Sequence, residues 1–309
     1  MTYDLAIIGG GPAGVAAGVY AARKRLKTVF ITKDWGGQSA VSVGIQNWIG
    51  TVEVSGFDFA EMLKKHLLHY ASGIVDIKEG ERVLAVEKLD HSFNIKTEAG
   101  EYQVKTILIS TGSHRRKLSA KNADRLEHRG ITYCASCDGP LFAGKDVAVI
   151  GGGNAAFETA AQLLAYCPSV TIIHRGANFR ADPVTVDRVV SHPKMRVIRN
   201  AEVTEVKGEK TVEGLTYLDK KTNRISDLTV QGVFVEIGSA PSTDFINNLI
   251  ELNKWNQIVV DPKNQRTTLT GIWAAGDATD GLYHQNNIAA GDAVKALEDI
   301  YLYLNTGKK

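Results

Sequence analysis

The sequence has few cysteines, no excess of charge of either sign and no long apolar run. Its 309 residues include only three cysteines, and this small, odd number cannot form a disulfide scaffold for a chain of this size. Lys and Arg total 36 against 34 Asp and Glu, so the net charge of +2 gives no reason to expect a nucleic acid or an anionic membrane as main partner. Every long uncharged stretch is rich in Gly, Gln or Asn, and no signal-type segment precedes the first apolar run. We therefore expect a cytoplasmic protein.

The composition otherwise is that of a soluble globular protein. Hydrophobic residues make up 44% and charged residues 23%, which argues against a disordered or fibrous chain. At about 150 residues per domain, the length predicts roughly two domains. Glycine stands out, because its 30 residues are about a tenth of the chain against a usual share of roughly 7%.

An apolar run followed by a glycine cluster and an Ala-rich segment occurs twice. The small residues of this motif are Gly9, Gly11 and Gly14 in the first copy and Gly151, Gly153 and Ala156 in the second. In a strand–turn–helix unit the first glycine permits a tight turn, the second lets backbone approach a pyrophosphate, and the third small residue lets the helix pack on the strand. The helix N-terminus presents N–H groups to the phosphates. Two copies predict an α/β protein with two Rossmann-like dinucleotide-binding domains.

The end of the second strand in the second copy favours NADPH. The apolar run 170–173 ends in His174-Arg175, and Arg180 follows. An NAD site usually has Asp or Glu about 20 residues after the glycines, whereas arginine suits the 2′-phosphate of NADPH. An ordinary solvated face is the alternative for these arginines.

A C-x-x-C pair, Cys134-Ala-Ser-Cys137, precedes the second glycine cluster. Zinc needs three or four protein ligands, and no second C-x-x-C or nearby His pair completes such a set, so we expect no metal. Close to a dinucleotide fold, the pair is typical of a redox dithiol. Asp138 is a candidate acid or base for thiol–disulfide exchange, with a plain turn residue as the alternative. Cys167 is assigned no role beyond that of a structural thiol.

The ligand of the first copy is assigned by chemistry rather than by its motif. Its second strand ends in Thr32-Lys33-Asp34 without the usual acidic residue, which leaves the ligand open. Cys137 lies 14 positions before Gly151, so the cysteine pair and the second site belong to one unit. A flavin connects a nicotinamide to a disulfide, because it accepts a hydride and passes electrons to sulfur. We therefore expect FAD in the first unit.

These motifs resemble those of bacterial low-molecular-weight thioredoxin reductase and of the flavoprotein part of alkyl hydroperoxide reductase. The matching landmarks cover nearly the whole chain and comprise residues 9–14, 36–38, 47, 110–112, 134–139, 151–156, 174–180, 232–238 and 276–277. Residues 133–150 are slightly more similar to the hydroperoxide reductase branch, and residues 174–180 to the NADPH signature of thioredoxin reductase. The resemblance implies a homodimer whose partner is thioredoxin or a thioredoxin-like protein.

The resemblance also implies which residues bind the cofactors. Those expected to bind FAD are Gly9, Gly11, Pro12, Ala13, Gly14, Gly36, Gly37, Gln38, Asn47, Thr111, Gly112, Gly276, Asp277, His284, Gln285 and Asn286. Those expected to bind NADPH are Gly151, Gly153, Asn154, Ala155, Ala156, His174, Arg175 and Arg180. Asp277 would contact the ribityl chain. A helix from residue 286 would point its N-terminus at the flavin, with core packing as the alternative for its apolar stripe.

The implied architecture is discontinuous. Residues 1–113 and 244–309 form the FAD domain, and residues 114–243 form an inserted NADPH domain that also carries the cysteine pair. Because the nucleotide and the cysteines share one domain, we expect them to alternate at the flavin by a domain rotation, with hinges near 112–116 and 241–245.

Three departures from the family pattern lead to further expectations. Gly176 replaces a second consecutive arginine, which predicts weaker discrimination between NADPH and NADH. His284-Gln285-Asn286 replaces Arg-Gln-Ala beside the flavin and alters its surroundings. The N-terminal thioredoxin-like extension of hydroperoxide reductase flavoproteins is lacking, so we expect a separate protein to receive the electrons.

The predicted reaction passes a hydride from NADPH to FAD and then electrons to the Cys134–Cys137 disulfide. By resemblance Cys137 faces the flavin, Asp138 moves the proton, and Cys134 attacks the disulfide of the partner. The alternatives are a peroxiredoxin or glutaredoxin-like partner, a dithiol oxidase, a ferredoxin-driven reductase, or a redox sensor that is not an enzyme. The arginines near 175–180 argue against the oxidase, and the cysteine pair beside a second nucleotide site argues against the sensor.

Overall fold

The computed structural model describes residues 2–42, 44–246 and 249–306, which form two compact units. The first, called the discontinuous unit, consists of residues 1–114 and 240–309. The second, called the inserted unit, consists of residues 115–239. Where the chain passes from one unit to the other, residues 113–115 and 239–241 pair with each other as two short strands.

Strands and helices alternate along much of the chain. The strands, in chain order, are β1 (Thr2–Gly10), β2 (Thr28–Trp35), β3 (Val75–Glu79), β4 (Val83–Lys88), β5 (Phe93–Thr97), β6 (Glu101–Ile109), β7 (Ser113–Arg115), β8 (Ile131–Thr132), β9 (Val147–Gly151), β10 (Val170–His174), β11 (Met195–Arg199), β12 (Ala201–Lys207), β13 (Gly214–Asp219), β14 (Arg224–Leu228), β15 (Gly232–Glu236), β16 (Ser239–Pro241) and β17 (Ile272–Ala274). The α-helices are α1 (Pro12–Arg23), α2 (Gly56–Ala71), α3 (Ala123–Leu126), α4 (Ala135–Asp138), α5 (Asn154–Leu163), α6 (Pro183–Val190) and α7 (Asn286–Thr306). Short 3₁₀ turns cover Gly37–Val41, Gly139–Phe142, Asp244–Ile246 and Gly276–Ala278.

The discontinuous unit is built on one mixed sheet. Its strand order is β3-β2-β1-β6-β5-β4, and β17 also pairs with β6. The pairs β3–β2, β2–β1, β1–β6 and β6–β17 are parallel, whereas β6–β5 is antiparallel. Residues 5–8 of β1 are all buried, because helices and loops cover both faces of the parallel part. Leu5 and Ile7 pack with α1, α2 and α7, whereas Ala6 and Ile8 pack toward β4, β5 and the side chains of Phe245, Ile246, Ile250 and Ile258.

The inserted unit repeats the parallel arrangement on a smaller scale. Its five-stranded sheet has the order β11-β10-β9-β15-β8 and is parallel throughout. Strand β9 is buried along its whole length, and its side chains alternate between two apolar clusters. A separate antiparallel sheet, β12-β13-β14, completes the unit.

Both units contain a β-strand, a glycine turn, a helix and a second parallel strand in succession, as β1-α1-β2 and β9-α5-β10. The predicted α/β class with two Rossmann-like units is confirmed. None of the helices in the described ranges combines the length and apolar character needed to cross a membrane.

Candidate functional site

The first glycine turn connects β1 to α1. Gly9 has a φ of +117°, and a Cβ atom there would overlap the carbonyl oxygen of Ser110. A Cβ atom on Gly14 would overlap the carbonyl oxygen of Gly9. The Ser110 hydroxyl donates to the carbonyl oxygen of Ile8 over 2.8 Å, which ties the end of β6 to the same turn. Close packing of backbone therefore explains the first and third glycines of the motif.

The middle glycine of this turn faces open space. A Cβ atom on Gly11 would have a single neighbour within 4 Å, the Cα atom of Gly37 at 4.0 Å. Gly36 and Gly37 have φ angles of +80° and +56°, so the chain after β2 turns sharply beside Gly11. Gly11 is also the N-cap of α1, and no side chain caps the first turn of that helix. A space free of side chains next to helix N–H groups fits a pyrophosphate.

Predicted FAD residues from both ends of the chain lie together in the discontinuous unit. The Asn47 amide donates to Oε1 of Gln285 over 3.1 Å, and Nδ2 of Asn287 donates to the Asn47 carbonyl oxygen over 2.8 Å. The Ser39 hydroxyl donates to Oδ1 of Asn286 over 2.9 Å. These bonds fasten Ser39 and Asn47, which follow β2, to the segment 285–287 at the start of α7.

Gly276 and Asp277 lie where β17 approaches the starts of two helices. Gly276 has a φ of +75°, and a Cβ atom there would be 3.2 Å from the Cβ of Ala289 and 3.4 Å from that of Ala13. Oδ1 of Asp277 is 3.4 Å from Nδ1 of His284. The histidine therefore faces the carboxylate that is predicted to contact the ribityl chain.

The remaining predicted FAD residues have partners within the protein. The Thr111 hydroxyl donates to the Ser242 carbonyl oxygen over 2.7 Å, and the Ser242 N–H donates to the Gly112 carbonyl oxygen over 3.0 Å. Nε2 of Gln38 donates to the Ser113 hydroxyl over 3.2 Å. Thr111 and Gly112 thus hold the returning chain in place, and cofactor contact for them stays a prediction.

The second glycine turn connects β9 to α5 in the inserted unit. A Cβ atom on Gly151 would overlap the carbonyl oxygen of Glu236 and would lie 3.0 Å from the Cβ of Ala156. A Cβ atom on Gly153, by contrast, would have no neighbour within 4 Å. Gly153 is the N-cap of α5, again without a side-chain cap. The turn therefore repeats the first one, with two positions closed by packing and a middle position open to a phosphate.

The loop after β10 is fastened to this second turn. The Arg180 N–H donates to the Gly152 carbonyl oxygen over 2.7 Å, and the Asp182 N–H donates to Oδ1 of Asn154 over 2.8 Å. The arginine side chains at 175 and 180 are exposed, as are the side chains of residues 154 and 155. The structure thus brings the predicted NADPH residues on β9, α5 and this loop to one edge of the parallel sheet.

His174 differs from its predicted neighbours because it is only 6% exposed. Its Nε2 atom is 3.0 Å from the Asn178 carbonyl oxygen, and its ring lies directly under Gly152 and Gly176, where Cβ atoms would overlap or crowd it. Burial, together with the nearby arginines, lowers the pKa of His174 and keeps the ring neutral at neutral pH. The structure gives His174 a packing position beneath the turn, and nucleotide contact for it stays a prediction.

Cys134 and Cys137 are joined as a disulfide at the start of the short helix α4. The Cys137 N–H donates to the Cys134 sulfur over 3.2 Å. The Thr132 hydroxyl at the end of β8 donates to Oδ2 of Asp138. Burial raises the pKa of Asp138, and the Thr132 bond opposes this in part. A carboxyl group that holds its proton more firmly than usual therefore follows the disulfide directly.

Residues 3–293 match the model of a protein family described as pyridine nucleotide-disulphide oxidoreductase. The chain belongs to this family. Its members use FAD and a pyridine nucleotide, and the two open glycine positions fit the pyrophosphates of two such dinucleotides. Within the described ranges, no three His, Cys, Asp or Glu residues are grouped so that they could hold a metal ion.

Solved structures and curated relatives point to two branches of the family. A thioredoxin reductase from Streptococcus pyogenes is 32% identical, with a TM-score of 0.92 and 99% of both chains covered. Thioredoxin reductase from Giardia duodenalis is 29% identical, also with a TM-score of 0.92, over 98% of this chain and 99% of the other. An alkyl hydroperoxide reductase component of Staphylococcus aureus is 38% identical over 98% of this chain and 59% of its own length.

A third relative carries a different name. A protein called NADH dehydrogenase from Bacillus subtilis is 36% identical over 98% of this chain. The chain spans 58% of that protein, so it covers well under two thirds of the curated relatives that it matches. These similarities establish an oxidoreductase of the family and leave its electron donor and protein partner to be proposed.

Glu236 was not singled out from the sequence, and the structure places it at the second glycine turn. Its side chain is 5% exposed, accepts a hydrogen bond from the Thr159 hydroxyl over 2.8 Å and lies 3.8 Å from Nη1 of Arg115. Burial raises the pKa of Glu236 to about 7, against the weaker opposing effects of Thr159 and Arg115. No local pattern marks Glu236, because its position opposite Gly151 comes from the pairing of β15 with β9.

Glu236→Gln should remove a pH-dependent loss of stability. The carboxyl pKa rises from 4.5 to about 7 on folding, so the wild-type free energy of unfolding should fall between these two pH values and then level off. At about 1.4 kcal/mol per pH unit, the variant should gain about 3 kcal/mol over the wild type at pH 8 and almost nothing at pH 4.5. Urea unfolding across this range measures the difference. Glu213 provides the control, because it is exposed in the same unit and Glu213→Gln should follow the wild-type profile. Parallel profiles for Glu236→Gln and the wild type would show that the carboxyl is not buried on folding.

Proposed function

We propose that this protein is a flavin-dependent disulfide reductase that passes electrons from NADPH, through FAD and the Cys134–Cys137 pair, to the disulfide of thioredoxin or a thioredoxin-like protein. The observation that carries the proposal is the disulfide beside the half-buried Asp138, in the same unit as a second dinucleotide turn edged by arginines. The similarity to two thioredoxin reductases over nearly the whole of each chain supports it.

Bound FAD supplies the two-electron chemistry that links a hydride donor to a disulfide. The protein residues hold the dinucleotides through the two open glycine turns and handle the protons of the sulfur chemistry. When the pair is reduced, Asp138 can give its proton to a leaving thiolate, since its raised pKa keeps a larger share of the acid form than an exposed Asp has.

The transfer to the partner is a thiol–disulfide exchange. The Cys134 thiolate attacks one sulfur of the partner disulfide, forms a mixed disulfide and releases the partner's second sulfur as a thiolate that takes up a proton. The Cys137 thiolate then attacks the Cys134 sulfur, releases the first partner thiolate and restores the intramolecular disulfide. The short Cys134–Cys137 separation along α4 keeps the second thiol within reach throughout.

A peroxiredoxin or a glutaredoxin-like protein is the second candidate partner. The similarity to the alkyl hydroperoxide reductase component supports it. The thiol–disulfide steps would be unchanged, and only the surface that docks the partner would differ. We also propose a homodimer, as the family resemblance implies, which sedimentation of the FAD-loaded protein would test.

An anaerobic titration of the FAD-loaded protein separates the possible donors. NADPH should bleach the flavin absorbance with about one equivalent for the flavin and one for the disulfide. The reduced enzyme should then reduce thioredoxin, a glutaredoxin-like protein or a peroxiredoxin in the presence of NADPH, measured as NADPH consumption. Cys134→Ser is the control and should stop consumption with all three partners. Bleaching by neither NADPH nor NADH would contradict the proposal and indicate another donor, such as ferredoxin.

A further inference from the structure

The carboxyl ends of β10 and β11 carry three arginines. Arg175 follows the last residue of β10, Arg199 is the last residue of β11, and Arg180 lies in the loop that is bonded to the second glycine turn. In the parallel register, His174 pairs with Arg199, so the two strand ends are level. Parallel strands direct their carboxyl ends to the edge of the sheet where ligands bind. All three side chains are exposed there.

Arg199 lies beside the position where the family's second arginine is replaced by Gly176. The Asn200 N–H donates to the Gly176 carbonyl oxygen over 3.0 Å, which places the end of β11 against the backbone of residue 176. The Arg199 guanidinium lies 4.4 Å from the centre of the Phe179 ring. Phe179 belongs to the loop between β10 and Arg180, and its ring also contacts His174. The stacking therefore holds the Arg199 side chain toward this loop.

Among the residues that the structure describes, the three arginines have no acidic partner within ion-pair distance. None of the ion pairs formed by residues 2–42, 44–246 and 249–306 includes Arg175, Arg180 or Arg199. Glu202, the carboxylate whose pKa responds to Arg175, is paired with Lys220. The cluster is therefore a concentration of positive charge that a dianion would neutralise by charge-assisted hydrogen bonds.

We propose that Arg199 replaces the missing second arginine and, with Arg175 and Arg180, forms the site for the 2′-phosphate of NADPH. The inference rests on the proposed use of a pyridine nucleotide and adds a residue that determines which one is used. It also reverses the expectation from Gly176, because the lost positive charge is supplied from the neighbouring strand. Discrimination between NADPH and NADH should then remain strong.

Binding of NADP⁺ and NAD⁺ to the full-length FAD-loaded protein tests the role of Arg199 without relying on turnover. In calorimetric titrations, Arg199→Gln should weaken NADP⁺ binding about tenfold to hundredfold and change NAD⁺ binding less than twofold, since a charge-assisted bond to the 2′-phosphate is lost. Arg199→Lys should recover part of the affinity. Arg196→Gln is the matched control, because Arg196 is exposed on the same strand but pairs with Thr171, away from the edge. In steady state, Arg199→Gln should raise KM for NADPH with kcat unchanged.

Other binding results would contradict the role proposed for Arg199. Equal weakening of both nucleotides would overturn the inference and give Arg199 a structural role on Phe179. Unchanged binding of both nucleotides would overturn it as well. A wild-type protein that binds NAD⁺ at least as tightly as NADP⁺, and reduces protein disulfides with NADH, would contradict the 2′-phosphate site but leave the proposed disulfide reductase intact. Failure to bind or use either nucleotide would contradict both proposals.

Discussion

Cys137→Ser should lower reduction of protein disulfides on the order of 10³-fold or more, while FAD binding and flavin reduction by NADPH remain. A serine hydroxyl can neither form the disulfide that accepts the electrons nor attack the mixed disulfide to release the partner. The first glycine turn, where we expect FAD to bind, lies in the discontinuous unit and the substitution in the inserted unit, so the cofactor content should not change. Stopped-flow bleaching of the flavin and turnover with the partner disulfide measure the two half-reactions separately.

The third cysteine provides the control for this variant. Cys167 is fully buried, its thiol donates to the Phe142 carbonyl oxygen over 3.4 Å, and burial raises its pKa to about 11. Such a thiol has almost no thiolate at neutral pH, so Cys167→Ser should retain wild-type turnover after correction for any loss of stability. Turnover that persists in Cys137→Ser would mean that electrons reach the partner without this pair.

The local parts of the fold could be predicted from the sequence because they depend on residues close together along the chain. The two glycine motifs predicted both strand–turn–helix units, and α1 and α5 begin at Pro12 and Asn154, directly after the middle glycines. The apolar periodicity from residue 286 predicted the long helix α7, whose buried side chains include Ala293, Leu297 and Ile300. In each case the spacing of small or apolar residues determines the element with little help from distant contacts.

The parts of the site that could not be predicted depend on pairs of strands far apart in sequence. Glu236 reaches the second glycine turn because β15 pairs with β9 across 85 residues. Arg199 reaches the loop at Gly176 because β11 pairs with β10. No local pattern distinguishes these residues from other charged residues at strand ends. Their positions follow from the order of the strands in the sheet, which the sequence motifs did not specify.

The sequence motifs also did not specify which side chains at a strand end point inward and which point outward. His174 and Arg175 are adjacent and were both expected to bind the nucleotide, but side chains alternate along a strand. The structure turns His174 inward beneath Gly152 and leaves Arg175 outward. The contact between Asn47 and Gln285 likewise joins residues 238 positions apart, and only the resemblance to a family had suggested that both belong to one site.

Gly153→Val should strongly lower use of the pyridine nucleotide and leave the fold intact. Gly153 has extended backbone, with φ of −101° and ψ of −177°, and nothing lies within 4 Å of a Cβ atom there, so valine fits without strain. Loss of the N-cap glycine should cost about 1 kcal/mol of stability. The same branched side chain would fill the space in which we propose that the pyrophosphate meets the backbone. Flavin reduction by NADPH should therefore fall on the order of 10²-fold or more, with unchanged FAD content.

Gly151→Val is the matched comparison, two positions earlier in the same turn. Its Cβ would overlap the Glu236 carbonyl oxygen and crowd Ala156, so β9, β15 and α5 would have to move apart. The melting temperature of the inserted unit should fall much more in this variant than in Gly153→Val, since overpacking a closed turn costs about 1–3 kcal/mol or more. Calorimetry and the flavin-bleaching rate, measured on both variants, separate closed from open positions. Normal bleaching in a stable Gly153→Val protein would show that the nucleotide binds without its pyrophosphate at this turn, and the second dinucleotide site would then have to lie elsewhere in the chain.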